Sequence, residues 1–205
     1  MKTRQIVGLA IAAAVATFGL SALDSSNAHA DESKMAGKMA GKNIKLDQGN
    51  GTIEFVGAKV TGDHDGGFKK WTGKAIVGPN GALRKFSFNV DTTSVWTDNE
   101  KLTGHLKSPD FFDVAKYPKA TFQSSKIEAV ESNDATHKIT GVMNLHGVIK
   151  KISFPATIDA SGKVIKADTE FVINRFNWDI SYKGMADNLI KDEVLLKIKF
   201  EIPKQ

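Results

Sequence analysis

The chain has 205 residues, of which 41% are hydrophobic and 25% are charged, and it contains no cysteine. This length suits a single domain, and the lack of thiols excludes disulfide frameworks, thiol catalysis and lipid attachment at an N-terminal cysteine. Lysine and arginine exceed aspartate and glutamate by 28 to 23. Only Arg4, Arg84 and Arg175 are arginines, and bidentate recognition of bases and phosphates depends on arginine, so nucleic acid is not an expected partner.

The first thirty residues have the layout of a secretory signal peptide. Lys2 and Arg4 precede an apolar run over residues 6–23, and the small-residue site Ala28-His29-Ala30 follows it. A charged start, an apolar middle and an A-x-A site predict export with cleavage after Ala30. The alternative is an uncleaved membrane anchor, because the run approaches the roughly 20 residues that span a bilayer.

Residues 31–43 form a separate segment after the signal peptide. They contain the repeated sequence Met-Ala-Gly-Lys at residues 35–38 and 39–42. This composition has too little apolar bulk to offset the entropy of ordering, so we predict a flexible leader. The domain organisation expected from the sequence is therefore a signal peptide (1–30), a leader (31–43) and one folded domain (44–205).

From residue 44 onward, hydrophobic residues recur at every second position. The clearest case is residues 193–202, where Val194, Leu196 and Ile198 alternate with mostly charged neighbours. Successive side chains of a strand point to opposite faces, so this period predicts a strand with one apolar face. Comparable patterns between turn signals predict strands near residues 52–60, 68–78, 85–91, 119–130, 139–145, 152–158, 164–176 and 178–184.

The strand pattern is interrupted between residues 95 and 114. Residues 97–99 offer an N-cap that helix formers follow, and Leu102 and Leu106 are four residues apart. This spacing places both leucines on one helical face. We therefore predict a short helix near residues 97–107 that packs across one end of the sheet.

Short strands separated by turns are typical of an all-β antiparallel sandwich or closed barrel. Two sheets can fill each other's core, or one sheet can close on itself. A barrel of about eight strands is just wide enough to hold a small ligand. Periodicity alone does not choose between these architectures.

Several blocks of the sequence carry a recognisable signature. Residues 91–95 read Asp-Thr-Thr-Ser-Val, residues 105–113 read His-Leu-Lys-Ser-Pro-Asp-Phe-Phe-Asp, and residues 117–122 read Tyr-Pro-Lys-Ala-Thr-Phe. Further blocks follow in order at residues 139–148, 171–178 and 189–194. Together they closely resemble the YceI-like polyisoprenoid-binding family over about residues 44–202.

This resemblance implies a lipocalin-like antiparallel β-barrel of about eight strands with a short helix. Its interior would hold the tail of a long isoprenoid lipid, such as a quinone or a polyprenyl phosphate, for carriage, storage or stress protection. Members of the family are typically exported to the bacterial periplasm, in agreement with the signal peptide. The expected partners are the isoprenoid lipid and, transiently, a membrane for lipid exchange. A homodimer is a further possibility, and no cofactor is expected.

The candidate ligand-binding residues are strand aromatics, one sulfur side chain and the two helical leucines. Apolar residues in strand alternation are usually just buried, so ordinary core packing is the alternative for each of them. The set comprises Phe55, Phe68, Trp71, Phe86, Phe88, Leu102, Leu106, Phe122, Met143, Phe154, Phe171, Phe176 and Trp178.

Two polar residues are also candidates for ligand contact. His105 lies beside the helix, where it either donates to a lipid head group or stabilises the helix end. Arg175 shares strand parity with Phe171 and Ile173, which aims it inward, and an unpaired charge there is expensive. It therefore meets either an anionic head group or an internal structural partner, and the internal partner is favoured because burial demands one in every state.

The sequence shows no nucleophile motif, phosphate loop or metal cluster, so neither catalytic nor metal-binding residues are predicted. We expect a binding protein rather than an enzyme. Two alternatives remain open at this point. One is an enzyme that acts on an isoprenoid or quinone inside the same barrel, and the other is a structural or interaction protein with a filled core.

Overall fold

The computed structural model describes residues 41–59, 62–182 and 190–204. The predicted signal peptide (1–30) and residues 31–40 of the predicted leader lie outside the described residues. The described part contains eleven strands, one α-helix and two short 3-10 helices. The strands are β1 (Lys42–Asp47), β2 (Gly51–Lys59), β3 (Gly62–Phe68), β4 (Trp71–Val77), β5 (Leu83–Asp91), β6 (Val95–Thr97), β7 (Lys119–Ala129), β8 (His137–Leu145), β9 (Val148–Asp159), β10 (Val164–Asn174) and β11 (Ile190–Pro203), and the helix is α1 (Glu100–Lys107).

All strand pairs are antiparallel, in the order β1-β4-β5-β7-β8-β9-β10-β11-β2-β3-β6. The chain passes from β1 to β2 through a tight turn, in which the Asn50 amide donates to the Asp47 carbonyl at 3.0 Å. β1 nevertheless pairs with β4 and β2 with β11, on opposite wings of the sheet. The sheet therefore curls into a barrel-like shell, which confirms the predicted antiparallel, lipocalin-like fold class.

The structure has more strands than the predicted eight or so, because the sequence pattern did not reveal all of them. β3 has the sequence Gly-Asp-His-Asp-Gly-Gly-Phe, without apolar alternation. Gly66 and Gly67 are needed there, because a Cβ atom would meet the Phe55 ring at Gly66 and the Trp96 indole at Gly67. β1 similarly begins at Lys42, inside the segment predicted as a leader.

The prediction of a strand over residues 178–184 was wrong in its described part. β10 ends at Asn174, whose side chain accepts a hydrogen bond from the Phe176 amide at 3.0 Å and caps a 3-10 helix (Arg175–Trp178). Asp179 then adopts a left-handed backbone with φ 55°. The chain turns at this point, so residues 179–182 form no strand.

The predicted helix is confirmed as α1. The Asn99 side chain accepts from the Leu102 amide at 3.1 Å, and the Ser108 amide donates back to the His105 carbonyl at 3.0 Å. These caps satisfy backbone groups at both helix ends. Within the described ranges, no helix is long and apolar enough to cross a membrane.

One end of the barrel interior is filled by four phenylalanine rings together with aliphatic side chains such as Ile165 and Ile202. We call Phe86, Phe154, Phe171 and Phe200 the aromatic plug. The centroids of Phe86 and Phe200 are 5.5 Å apart, and the Phe154 and Phe171 rings stack at 4.1 Å. Such offset and stacked pairs add stabilisation beyond burial of area, so this end is a solid core.

We expect Phe154→Ala to lower the free energy of unfolding by about 3–5 kcal/mol, because it leaves a cavity in the plug. Urea unfolding followed by circular dichroism measures the change. Phe176→Ala is the matched control, since Phe176 is 41% exposed and its loss should cost no more than about 1 kcal/mol. Equal costs for the two variants would show that the plug is not a packed core.

Candidate functional site

The other end of the barrel, next to α1, contains a cavity of about 180 Å³. Its walls are formed by residues of seven strands, together with two leucines of α1. Phe111 and Phe112, which follow the helix, also line it. The wall residues on the strands and the helix include Ile53, Phe55, Val90, Phe88, Leu102, Leu106, Phe122, Met143, Leu145, Ile173, Val194, Leu196 and Ile198.

Partial exposure of inward-facing residues confirms that protein side chains do not fill this space. Val194, Leu196 and Ile198 lie on the inward face of β11 and are only half-buried. Phe200 and Ile202 have the same strand parity but are fully buried. Because alternate residues share one face of a strand, the difference arises from the void beside the first three.

Polar residues gather at the mouth of the cavity. Lys59 ends β2, His64 lies near the start of β3, and Lys191 lies at the start of β11, and all three belong to the lining. His64 Nδ1 donates to Asp98 Oδ1 at 2.8 Å, which joins β3 to the segment before α1. The cavity thus has apolar walls and a basic, water-facing rim.

Arg175 lies inside the shell, where strand parity had aimed it, and it is only 3% exposed. Its guanidinium donates to the Ile180 carbonyl at 2.9 Å and to the Lys191 carbonyl at 3.3 Å. The Asp192 carboxylate is 3.9 Å away, and the Phe176 ring lies 4.3 Å from the guanidinium carbon. Arg175 therefore has internal partners, mostly carbonyls, that join the 3-10 helix to the start of β11.

The structure divides the sequence-predicted ligand residues into three groups. One group lines the cavity, a second is buried in the core beyond it, and two residues lie elsewhere. The first group is Phe55, Phe68, Phe88, Leu102, Leu106, Phe122, Met143 and Arg175; the second is Trp71, Phe86, Phe154, Phe171 and Trp178; His105 and Phe176 complete the set. Whether the first group contacts a ligand stays a prediction.

Phe176 is a correction to the predicted lining. Because the strand ends at Asn174, the Phe176 side chain turns outward and covers Arg175 from the solvent side. His105 lies in the last turn of α1, as its predicted helix-end role requires, whereas contact with a lipid head group stays a prediction. Its Nε2 donates to Asp110 Oδ2 at 2.9 Å, and its ring packs edge-on against Phe111 and Tyr182.

Sequence reasoning missed most aliphatic wall residues, because it selected aromatic and sulfur side chains. Leu145, Ile173 and the β11 residues Val194, Leu196 and Ile198 all line the cavity. The alternation of apolar and polar residues that predicted these strands had already placed these aliphatic residues on the apolar face. Among the described residues, no three histidine or acidic side chains lie together as a metal site.

The profile of the YceI-like domain matches residues 44–202. A UPF0312 protein of Pseudomonas putida is 38% identical over 79 residues, which are 38% of this chain and 40% of the relative. The chain thus matches less than half of the length of this relative.

Solved structures share the fold. The crystal structure of Burkholderia cenocepacia BcnA superposes with a TM-score of 0.66 at 22% identity, over 74% of this chain and 95% of that one. A polyisoprenoid binding domain from Saccharophagus degradans, implicated in plant cell wall breakdown, superposes with a TM-score of 0.57 at 15% identity. That match covers 80% of this chain and all of the other.

Because Arg175 has internal partners, we expect its side chain to stabilise the fold whether or not a ligand is bound. Arg175→Met should lower the free energy of unfolding by about 3–5 kcal/mol, because it strips buried carbonyls of their donor. Urea unfolding before and after lipid extraction measures this loss. The control Arg84→Met removes an exposed guanidinium and should change stability by at most about 0.5 kcal/mol. A destabilisation that disappears on lipid extraction would instead assign Arg175 to the ligand.

Proposed function

The chain belongs to the YceI-like family, and we propose from this premise that its cavity binds the apolar tail of an isoprenoid lipid for carriage or storage. The observation that carries the proposal is the unfilled, apolar cavity at one end of an otherwise packed barrel. The polyisoprenoid binding domain of Saccharophagus degradans, which has the same fold, supports this ligand class. We propose binding without catalysis, so the lipid leaves the barrel unchanged.

The affinity of such a site comes from burial. An isoprenoid tail is branched and hydrocarbon, and it offers no polar group for recognition along its length. Each buried CH₂-sized group contributes about 0.8 kcal/mol relative to water. Immobilising a flexible chain costs several kcal/mol in return, which leaves a clear net gain over water once a few isoprene units are buried.

Relative to a bilayer, the same transfer is nearly neutral, because lipid is as apolar as the cavity wall. A protein of this kind therefore exchanges its ligand with membranes and does not trap it. The direction of exchange depends on which membrane has more of the lipid. This property suits a carrier or a buffer, which requires only transient membrane contact.

We place the lipid head group at the mouth of the cavity. Lys59, His64 and Lys191 lie there, and their side chains suit an anionic phosphate or the carbonyl oxygens of a quinone. Burying such a head group among the wall residues would leave it without hydrogen-bond partners. The polar rim therefore orients the ligand with its tail inward.

We further propose that the protein works in the periplasm after export and cleavage behind Ala30. The charged start, the apolar run and the A-x-A site support this location. It gives a tail-binding protein access to membranes on either side of an aqueous space. The cavity also argues against a filled interior, which was the structural alternative to a lipid-binding protein.

Two neighbouring residues on β8 allow a matched test. Met143 faces the cavity, whereas Val142 is 41% exposed on the outer surface. Met143→Trp should fill part of the cavity and reduce co-purifying isoprenoid at least tenfold, a change of about 1.4 kcal/mol. Val142→Trp introduces the same side chain outside and should leave the lipid content unchanged.

The measurement is organic extraction of the purified protein followed by mass spectrometry of the extract. Circular dichroism verifies that both variants keep the wild-type fold. An extract of the wild-type protein that holds no isoprenoid, from a host rich in these lipids, would contradict the proposal. So would an equal loss of lipid from both variants.

A further inference from the structure

The cavity stops part-way along β8 and part-way along β11. On β8, Leu145 and Met143 line it and are half-buried. The next inward positions, Gly141 and Ile139, are fully buried and do not line it. The same change occurs on β11, where the lining stops at Ile198 and the next inward residue is buried in the aromatic plug.

The floor of the cavity consists of Phe88 and Phe122, which rest on the plug. The Phe86 centroid lies 5.4 Å from that of Phe88 and 5.5 Å from that of Phe122. Phe122 also contacts Phe154 at a centroid distance of 5.5 Å. Rings at these separations are in contact, so no hydrocarbon chain passes between them.

The position of the floor is fixed from the β8 side as well. Gly141 lies against the Phe122 ring, and a Cβ atom at this position would overlap that ring. The missing side chain leaves the space that the Phe122 ring occupies. The ring also contacts Phe86 and Phe154, so it cannot move towards the plug without displacing them.

The size of the cavity limits what it holds. Its volume of about 180 Å³ is finite, and the floor closes its inner end. Only the part of a tail that fits above the floor is surrounded by apolar side chains.

We propose that the aromatic plug sets an upper limit to the length of isoprenoid tail that the cavity encloses, and that Phe86 is a specificity-determining residue. The inference rests on the proposed function and adds an upper limit to the tail length. Units beyond this limit remain at the mouth of the cavity, where they contact water and the polar rim. Phe86 acts by supporting Phe88 and Phe122 from below.

Competition between the protein and detergent micelles tests this limit. The full chain, freed of lipid, is mixed with dodecyl maltoside micelles and with farnesol, geranylgeraniol or solanesol. The lipid that stays with the protein is then quantified by mass spectrometry. A micelle provides apolar surroundings for every unit of a tail, whatever its length. The greater hydrophobicity of a longer tail therefore favours the micelle as much as the protein, and only the size of the cavity affects the retained fraction.

For the wild-type protein, the retained fraction should fall at least about tenfold from farnesol to solanesol, because the units beyond the limit lose their apolar surroundings. Geranylgeraniol, of intermediate length, locates the limit between them. Phe86→Ala should open the plug and raise the retention of solanesol relative to farnesol at least about threefold. Phe122→Ala, which enlarges the floor directly, serves as a second variant, and Phe176→Ala is the control outside the cavity.

The outcomes separate this inference from the function on which it rests. Equal retention of all three alcohols by the wild-type protein would overturn the length limit and leave isoprenoid binding intact. Retention of none of them would overturn both. A wild-type limit that persists in folded Phe86→Ala and Phe122→Ala proteins would remove the plug as its cause.

Discussion

The fold depends on how the apolar side chains on the inward face of each strand are shielded from water. Every strand must hide one face from water, and at one end of the barrel the aromatic plug does this with close-packed rings. At the other end the same faces border a void. Apolar walls that lack packing partners favour any hydrocarbon that replaces water beside them. For this reason we propose the incomplete core as the binding site.

An open cavity requires a frame that prevents its walls from collapsing. Arg175 holds the turn after β10 against the start of β11 through carbonyls on both segments. On β3, two strands from β11 in the sheet, the bond between His64 and Asp98 fixes the approach to α1, and Thr103 Oγ1 accepts from the Thr97 amide at 2.9 Å. These polar contacts lie around the mouth, where they stabilise the frame without occupying the cavity.

The period of two in the sequence was enough to predict most strands and the apolar inner surface, and the capping pattern located the helix. It did not reveal β3, because the two glycines there serve the neighbouring Phe55 and Trp96 side chains and carry no pattern of their own. The period of two also did not distinguish the residues of the aromatic plug from those that line the cavity. Phe86 and Phe88 share one strand face, but only Phe88 reaches the void, since that depends on depth along the barrel axis.

Diffraction from crystals of the protein loaded with an isoprenoid brominated at the tail end tests the central claim most directly. The anomalous signal of bromine locates the tail without assumptions about the rest of the ligand. We predict a bromine peak inside the barrel, between Phe122, Met143 and Leu196. A peak only on the outer face, for example beside the exposed Ile149 or Val172, would contradict it.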